Sequence, residues 1–158
     1  MLTGSMAANI YAMPRMTRDL DLVVAVSADI PDRLLGIFPL EEYYFAVEAV
    51  EEAILNSSCF NLIHLNTMIK IDIMVRKPEP YRIHEFTRRQ LHHIQGNPIW
   101  VVSKEDLILS KLAWAKESLS EKQLSDVRNL LSTECDHEYL QTWAKHLQLT
   151  DILTQASA

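Results

Sequence analysis

An acidic strand near the start of the chain, Asp19-Leu20-Asp21-Leu22-Val23-Val24, constrains the fold more than any other stretch. Alternate residues of a strand share a face. Asp19 and Asp21 therefore point one way, and Leu20, Leu22, Val24 and Val26 the other. One face asks to be buried; the other carries two carboxylates that repel each other unless a cation neutralises them. Oxygen ligands at this spacing suit Mg²⁺ rather than zinc or copper. Ahead of the strand, Gly4-Ser5 opens a short helix over Met6 to Tyr11, with Ser5 as its expected N-cap and Pro14 ending it. A polar loop with Arg15 and Arg18 joins this helix to the acids.

A second strand of the same kind lies further on. Phe60 to Leu65 and Met68 to Val75 read as a hairpin joined through Asn66-Thr67. In its second arm Ile69, Ile71, Ile73 and Val75 form an apolar face, while Met68, Lys70, Asp72 and Met74 form the other. An Asp in mid-strand is costly unless its face is solvated or binds a cation.

The order Gly4-Ser5, a spacer, then Asp19-Leu20-Asp21 resembles the signature of the nucleotidyltransferase superfamily, which includes DNA polymerase beta and kanamycin nucleotidyltransferase. The wider string through Tyr11, Pro14-Arg15, Thr17 and Asp19 to Asp21 is similar to the small bacterial and archaeal branch related to AbiEii-type toxins. The resemblance implies an α+β fold: a small mixed sheet flanked by helices, with a C-terminal helical bundle. It gives Asp72 the place of a third carboxylate beside Asp19 and Asp21, the three holding two Mg²⁺ ions, with Asp72 on the metal that activates the acceptor. Gly4, Ser5 and the helix N-terminus behind them would bind the phosphates of a nucleoside triphosphate.

Other residues keep two readings at this stage. Arg15 and Arg18 either reach a phosphate or are solvated loop arginines. Lys70 either contacts phosphate or tempers Asp72. Lys111 lies on the first C-terminal helix, where the toxin-like branch carries a lysine; it either contacts nucleotide or, by periodicity alone, is a solvated helix lysine. Asp126-Val127-Arg128 resembles an Asp-bearing helix of that branch, or is a charged face. The expected activity is metal-dependent transfer of a nucleoside monophosphate to an RNA, a protein or a small molecule, with an antitoxin as a further partner. The alternative is a catalytically inactive member that binds nucleotide, RNA or a protein.

The rest of the chain supplies context. With 158 residues and 48% hydrophobic content there is enough chain for a core without disulfides. The net charge of −6 provides no global field for nucleic acid; Arg76, Lys77, Arg82, Arg88 and Arg89 are the one basic stretch, either an RNA contact or solvated surface. Cys59 and Cys135 have no metal-ligand spacing and are expected reduced and buried, as in a cytoplasmic protein. No run reaches membrane-spanning length and no signal peptide is visible. Relatives of the toxin-like branch usually carry a helix ahead of this point, so the expectation is either a truncated or misassigned start or another element covering the exposed strand edge.

The intervening elements read as follows. Ser27 to Pro31 is a turn and Asp32 to Phe38 a short helix. Tyr43 to Ala46 is an edge strand, and a helix runs to about Leu55. Tyr81 to Arg89 is helical. Leu91 to Ile94 and Ile99 to Val102 are strands around the turn Gln95-Gly96-Asn97-Pro98. From Ser103 the pattern is helical, with caps at Ser103, Ser120 and Asp136 and a last turn at Thr150. Trp114 and Trp143 fit core stripes. The expected division is a sheet unit over 1–102 and a helical region over 103–158.

Overall fold

The structure, a computed structural model, describes residues 1–26 and 30–157. In chain order the elements are β1 (Leu2–Thr3), α1 (Gly4–Tyr11), β2 (Asp19–Val24), α2 (Ile30–Ile37), β3 (Tyr43–Tyr44), α3 (Val47–Asn56), β4 (Cys59–His64), β5 (Ile69–Val75), α4 (Pro80–Thr87), β6 (Gln90–Ile94), β7 (Asn97–Val101), α5 (Lys104–Ser118), α6 (Glu121–Leu131), α7 (His137–His146) and α8 (Thr150–Ser157). The strands form one mixed sheet in the order β3-β4-β5-β2-β1-β7-β6. β2 runs parallel to β5, and β1 to β7; the remaining neighbours are antiparallel.

Register decides what each face carries, because paired residues project to the same side. Leu22 pairs with Leu2 and Ile73, Ile73 with Phe60, and Leu2 with Val101. All but Leu22, which is half-buried, are buried, and this side holds the core. One cluster gathers Phe60, Leu62, Ile71, Ile73 and Val75 under Val50 and Ala53 of α3. The other joins Leu2, Ala7, Ala8 and Val101 to Leu107, Ile108, Leu112, Val127, Leu130 and Leu140 of the C-terminal helices. Leu20 and Leu22 touch both clusters. Each fully buried Leu or Ile is worth about 1.5–3 kcal/mol, so the C-terminal helices and the sheet hold each other in place. The opposite side carries Asp19, Asp21, Asp72 and Lys70.

Several expectations change in detail. α1 begins at Gly4, with Thr3 as its N-cap, so Ser5 lies inside the helix and does not cap it. Residues 27–29 of the expected turn lie outside the described residues. The β4–β5 hairpin turns without a glycine because Met68 takes the left-handed conformation, φ 56°. The β6–β7 turn is tighter than expected: Gln95 and Gly96 make it alone, with φ 51° and 82°, and Asn97-Pro98 already belong to β7. The caps at Ser103, Ser120 and Asp136 each accept the expected backbone N–H, from Asp106, Gln123 and Tyr139. Thr150 opens a full helix rather than a last turn.

The cysteines are not buried. Cys59 is exposed because its register with Met74 puts it on the acid-bearing side, and Cys135 is half-buried. Trp114 is 60% exposed; the core stripe of α5 runs through Leu107, Ile108, Leu112 and Ala115 and passes it by. The basic stretch is also not uniformly solvated. Arg82 pairs with Glu85 and donates to Ser110, while Arg88 donates to the fully buried Asp106 carboxylate. Those two arginines fasten α4 to α5. No helix among the described residues is long and apolar enough to cross a membrane.

Candidate active site

The acids are brought together by strand pairing. Asp21 stands opposite Asp72 across the parallel β2–β5 ladder, and Asp19 stands opposite Lys70. Asp19, Asp21, Lys70 and Asp72 therefore share one face, with Asp19 exposed and Asp21 and Asp72 half-buried. Burial, then the neighbouring Asp72 and Asp19 charges, raise the Asp21 carboxyl above the usual carboxylate range, while the Ser5 backbone N–H donates to it and partly offsets the rise. Lys70 Nζ lies 2.8 Å from Asp72 Oδ1 and 3.0 Å from Oδ2. Its ammonium is held above its ordinary value by that hydrogen bond and by the fields of Asp72, Asp19 and Asp21.

Gly4 is required by this arrangement itself. Its φ is +64°, and a Cβ there would lie 1.9 Å from Asp21 Oδ2. The room left by the missing side chain is thus filled by the Asp21 carboxylate, where the sequence reading had placed substrate phosphates. Gly4→Ala is expected to destabilise the fold by at least about 1–2 kcal/mol from the left-handed conformation alone, and to push Asp21 off Ser5. Thermal melting beside an activity assay checks this; a variant with unchanged melting and turnover would refute it.

Behind Ser5 lies a buried charge network. Arg15 makes a fork to Asp126, Nε to Oδ1 at 2.7 Å and Nη2 to Oδ2 at 2.8 Å, and the same Nη2 donates to Ser5 Oγ at 2.6 Å. Lys111 Nζ donates to Asp126 Oδ2 at 2.7 Å and to Gln123 Oε1 at 3.0 Å. Burial alone would raise the Asp126 carboxyl; the hydrogen bonds from Arg15 and Lys111 outweigh it and hold the group below the usual range. Ser5 Oγ accepts from Arg15, which leaves its own proton to donate elsewhere.

This corrects both surface readings. Lys111 is only 4% exposed and Asp126 is 6% exposed, so neither is a solvated helix residue. Arg15 belongs to the network, whereas Arg18 is exposed and lies outside it. Asn9 was missed by sequence reasoning. Its side-chain amide exchanges two hydrogen bonds with the backbone of Arg15 and so fixes the loop. Asn129, also missed, donates to the Met13 carbonyl and holds the same loop from α6. No sequence periodicity links either residue to its partner.

Among the described residues, no group of three or more His, Cys, Asp or Glu side chains is gathered as a ligand cage. The acid face nevertheless suits a hard cation. Its donors are all carboxylate oxygens, their crowding raises Asp21, and Lys70 already bonds both oxygens of Asp72.

This α+β architecture, with a mixed sheet, a helical C-terminal region and acids on the uncovered sheet face, is the nucleotidyltransferase fold. Crystal structures that share it include the following two. The lincomycin-bound lincosamide antibiotic adenylyltransferase LnuA matches with a TM-score of 0.55 at 16% identity, over 83% of this chain and 84% of that one. An antigenic nucleotidyltransferase-like protein from Paracoccidioides brasiliensis matches with a TM-score of 0.55 at 19% identity, over 98% of this chain and 82% of that one. No protein-family model and no curated protein sequence matches the chain.

Proposed function

We propose that this chain is a metal-dependent nucleotidyltransferase, moving a nucleoside monophosphate from a nucleoside triphosphate to an acceptor hydroxyl. The observation that carries the proposal is the in-register pairing of Asp21 with Asp72, with Asp19 on the same face. In the transfer the acceptor oxygen bonds to the α-phosphorus, the bond from that phosphorus to the bridging oxygen breaks, and pyrophosphate leaves. Asp19, Asp21 and Asp72 would hold divalent metal, Mg²⁺ by donor chemistry, which supplies charge neutralisation at the phosphates.

The chain's own groups do the rest. Asp72 would accept the acceptor's proton. The Ser5 hydroxyl, oriented by Arg15, donates to a phosphate oxygen, and Arg18 offers an exposed guanidinium to the same anion. Lys70, which bonds both oxygens of Asp72, would be released toward phosphate if a divalent cation were held there. Lys111 acts from below, holding Asp126 and adding positive field at Asp21. Residues 1–102 form the catalytic sheet unit in this reading, and 103–158 the region packed on it. The motif string shared with AbiEii-type toxins extends the proposal to that branch, with an antitoxin partner and a cytoplasmic setting.

A second reading keeps the fold and binds nucleotide without turnover; Lys70 seated on both oxygens of Asp72 favours it. Ligand-dependent melting, paired with transfer of label from α-labelled triphosphates, separates the two. With Mg²⁺ and the preferred triphosphate at about a hundred times the dissociation constant, stabilisation of about 2.7 kcal/mol raises the melting temperature by about 5–10 °C. The rise should need both ligands, vanish in Asp72→Asn, and accompany labelling of the acceptor. A rise without label transfer to RNA, protein or small molecules supports the silent reading. No rise with any triphosphate refutes both.

A further inference from the structure

The acid face continues beyond the acids. One pair of residues along from Asp21 and Asp72, Val23 pairs with Met74, and Met74 with Cys59. On the other flank Val23 N–H donates to the Met1 carbonyl. Leu2 pairs with Val101 in parallel, so Met1 stands beside Trp100, which pairs with Leu91. An apolar band thus crosses the sheet at about 6–7 Å from the acid row, the rise of two strand residues. It is open at Trp100 and Leu91, each 47% exposed, and at half-buried Val23 and Met74, while Met1, also half-buried, packs against the core cluster of the C-terminal helices.

Cations edge the band. Arg89 lies over the Phe86 ring at 4.3 Å and the Trp100 ring at 4.9 Å, and Arg76 lies over Phe86 at 5.6 Å. A guanidinium stacked on a ring keeps its N–H groups in the plane of its edge; Arg89 donates one from Nη1 to the Phe86 carbonyl at 2.5 Å and offers the others to an anion. Arg76 Nε is buried and has no hydrogen-bond partner, one of two such side-chain atoms among the described residues. An unmet buried donor on a cation is costly, and Nε itself is closed to a ligand; half-buried Arg76 adds its positive charge beside Arg89. Local positive charge here, on a chain of net charge −6, selects an anionic occupant over a neutral peptide or a second copy of this chain.

We infer that this band binds a single-stranded nucleic acid, with its bases stacked on Trp100 and the neighbouring apolar side chains and its backbone phosphates on Arg76 and Arg89. Aromatic platforms flanked by cations accept any base, because every base has a π-face. Given the transferase reading, on which this direction of approach rests, the strand's terminal hydroxyl reaches Asp72 from the adjacent row, and the acceptor class is nucleic acid.

The test is fluorescence anisotropy of a short, unstructured, end-labelled oligoribonucleotide with the full chain in Mg²⁺, without triphosphate. Trp100→Ala and Arg89→Gln are each expected to weaken binding by about tenfold or more, Trp100→Phe to restore most of it, and Trp114→Ala to change nothing. Two phosphate contacts predict a slope of log affinity against log salt of about −1.4. Circular dichroism confirms that each variant folds. Asp21→Asn should still bind the oligonucleotide. In the parent chain with Mg²⁺ and triphosphate, binding without transfer to any acceptor defeats the transferase reading and spares the band, whereas transfer to a small molecule without oligonucleotide binding does the reverse. Absent binding, binding indifferent to Trp100→Ala and Arg89→Gln, or a band that proves to bury a second copy or a protein partner overturns the inference.

Discussion

Asp21→Asn is expected to lower the transfer rate by at least about a thousandfold while raising the melting temperature of the metal-free protein. Both effects come from the same crowding. The carboxylate is half-buried, stands opposite Asp72 and shares its strand with Asp19, so the fold penalises its ionised form. The folded pKa therefore lies above the unfolded one. Native stability from this group falls as pH rises from the unfolded value through the folded one, and above the folded value the whole penalty is present. An amide removes the charge yet keeps an oxygen to accept the Ser5 N–H, which gives a rise of about 2–4 °C for each kcal/mol relieved. Metal binding needs the ionised form, so Mg²⁺ affinity and turnover should fall on the acid side at a higher pH than an ordinary aspartate would dictate. The loss of rate follows from removing several kcal/mol of charge stabilisation, at 1.36 kcal/mol for each tenfold. Melting curves with and without Mg²⁺, and a pH–rate profile, read these effects. A variant that melts lower without metal, or that transfers at the parent rate, would show that Asp21 is not the crowded ligand described.

Asp126→Ala is expected to cost about 3–5 kcal/mol, a large part of the 5–15 kcal/mol typical of a domain. Its removal leaves Lys111, 4% exposed, with Gln123 as its remaining partner, and leaves Arg15 without its fork. The melting temperature should drop by about 6 °C or more. Lys111→Met in the same background should recover much of the loss, since the uncompensated buried charge is gone. The sign with pH is opposite to that of Asp21. The folded pKa of Asp126 is depressed, so its contribution is present above the unfolded value and is lost as pH falls through the folded one. A double-mutant cycle over Asp126 and Lys111, read by denaturant unfolding, measures the coupling. Additive effects would mean that the two residues do not depend on each other.

The two networks differ in how far they could be read in advance. The acid face follows from period-two alternation, so Asp19-Leu20-Asp21 and Lys70-Ile71-Asp72 each declare a polar side, and the motif resemblance supplied the expectation that the sides coincide. The Arg15–Asp126–Lys111 network is hidden. Asp126 is 111 positions from Arg15 and 15 from Lys111, and charged helix residues are far more often solvated than buried. One signal existed: Lys111 falls four residues after Leu107 and four before Ala115, on the core stripe of α5. Cys59 and Trp114 failed for the converse reason. Residue type suggested burial, and their exposure was set by register and by which stripe of the helix met its neighbours.

By itself the sequence determined the long strands β2 and β5 with the two faces of each, and the helix caps at Ser103, Ser120 and Asp136, because these depend on neighbours within a few residues. Only the tertiary structure decided that Gly4 makes room for the Asp21 carboxylate, that Lys111 is buried, and that Trp100 joins the acid-bearing face. Those outcomes depend on strand register and on contacts between distant segments, which local periodicity does not encode.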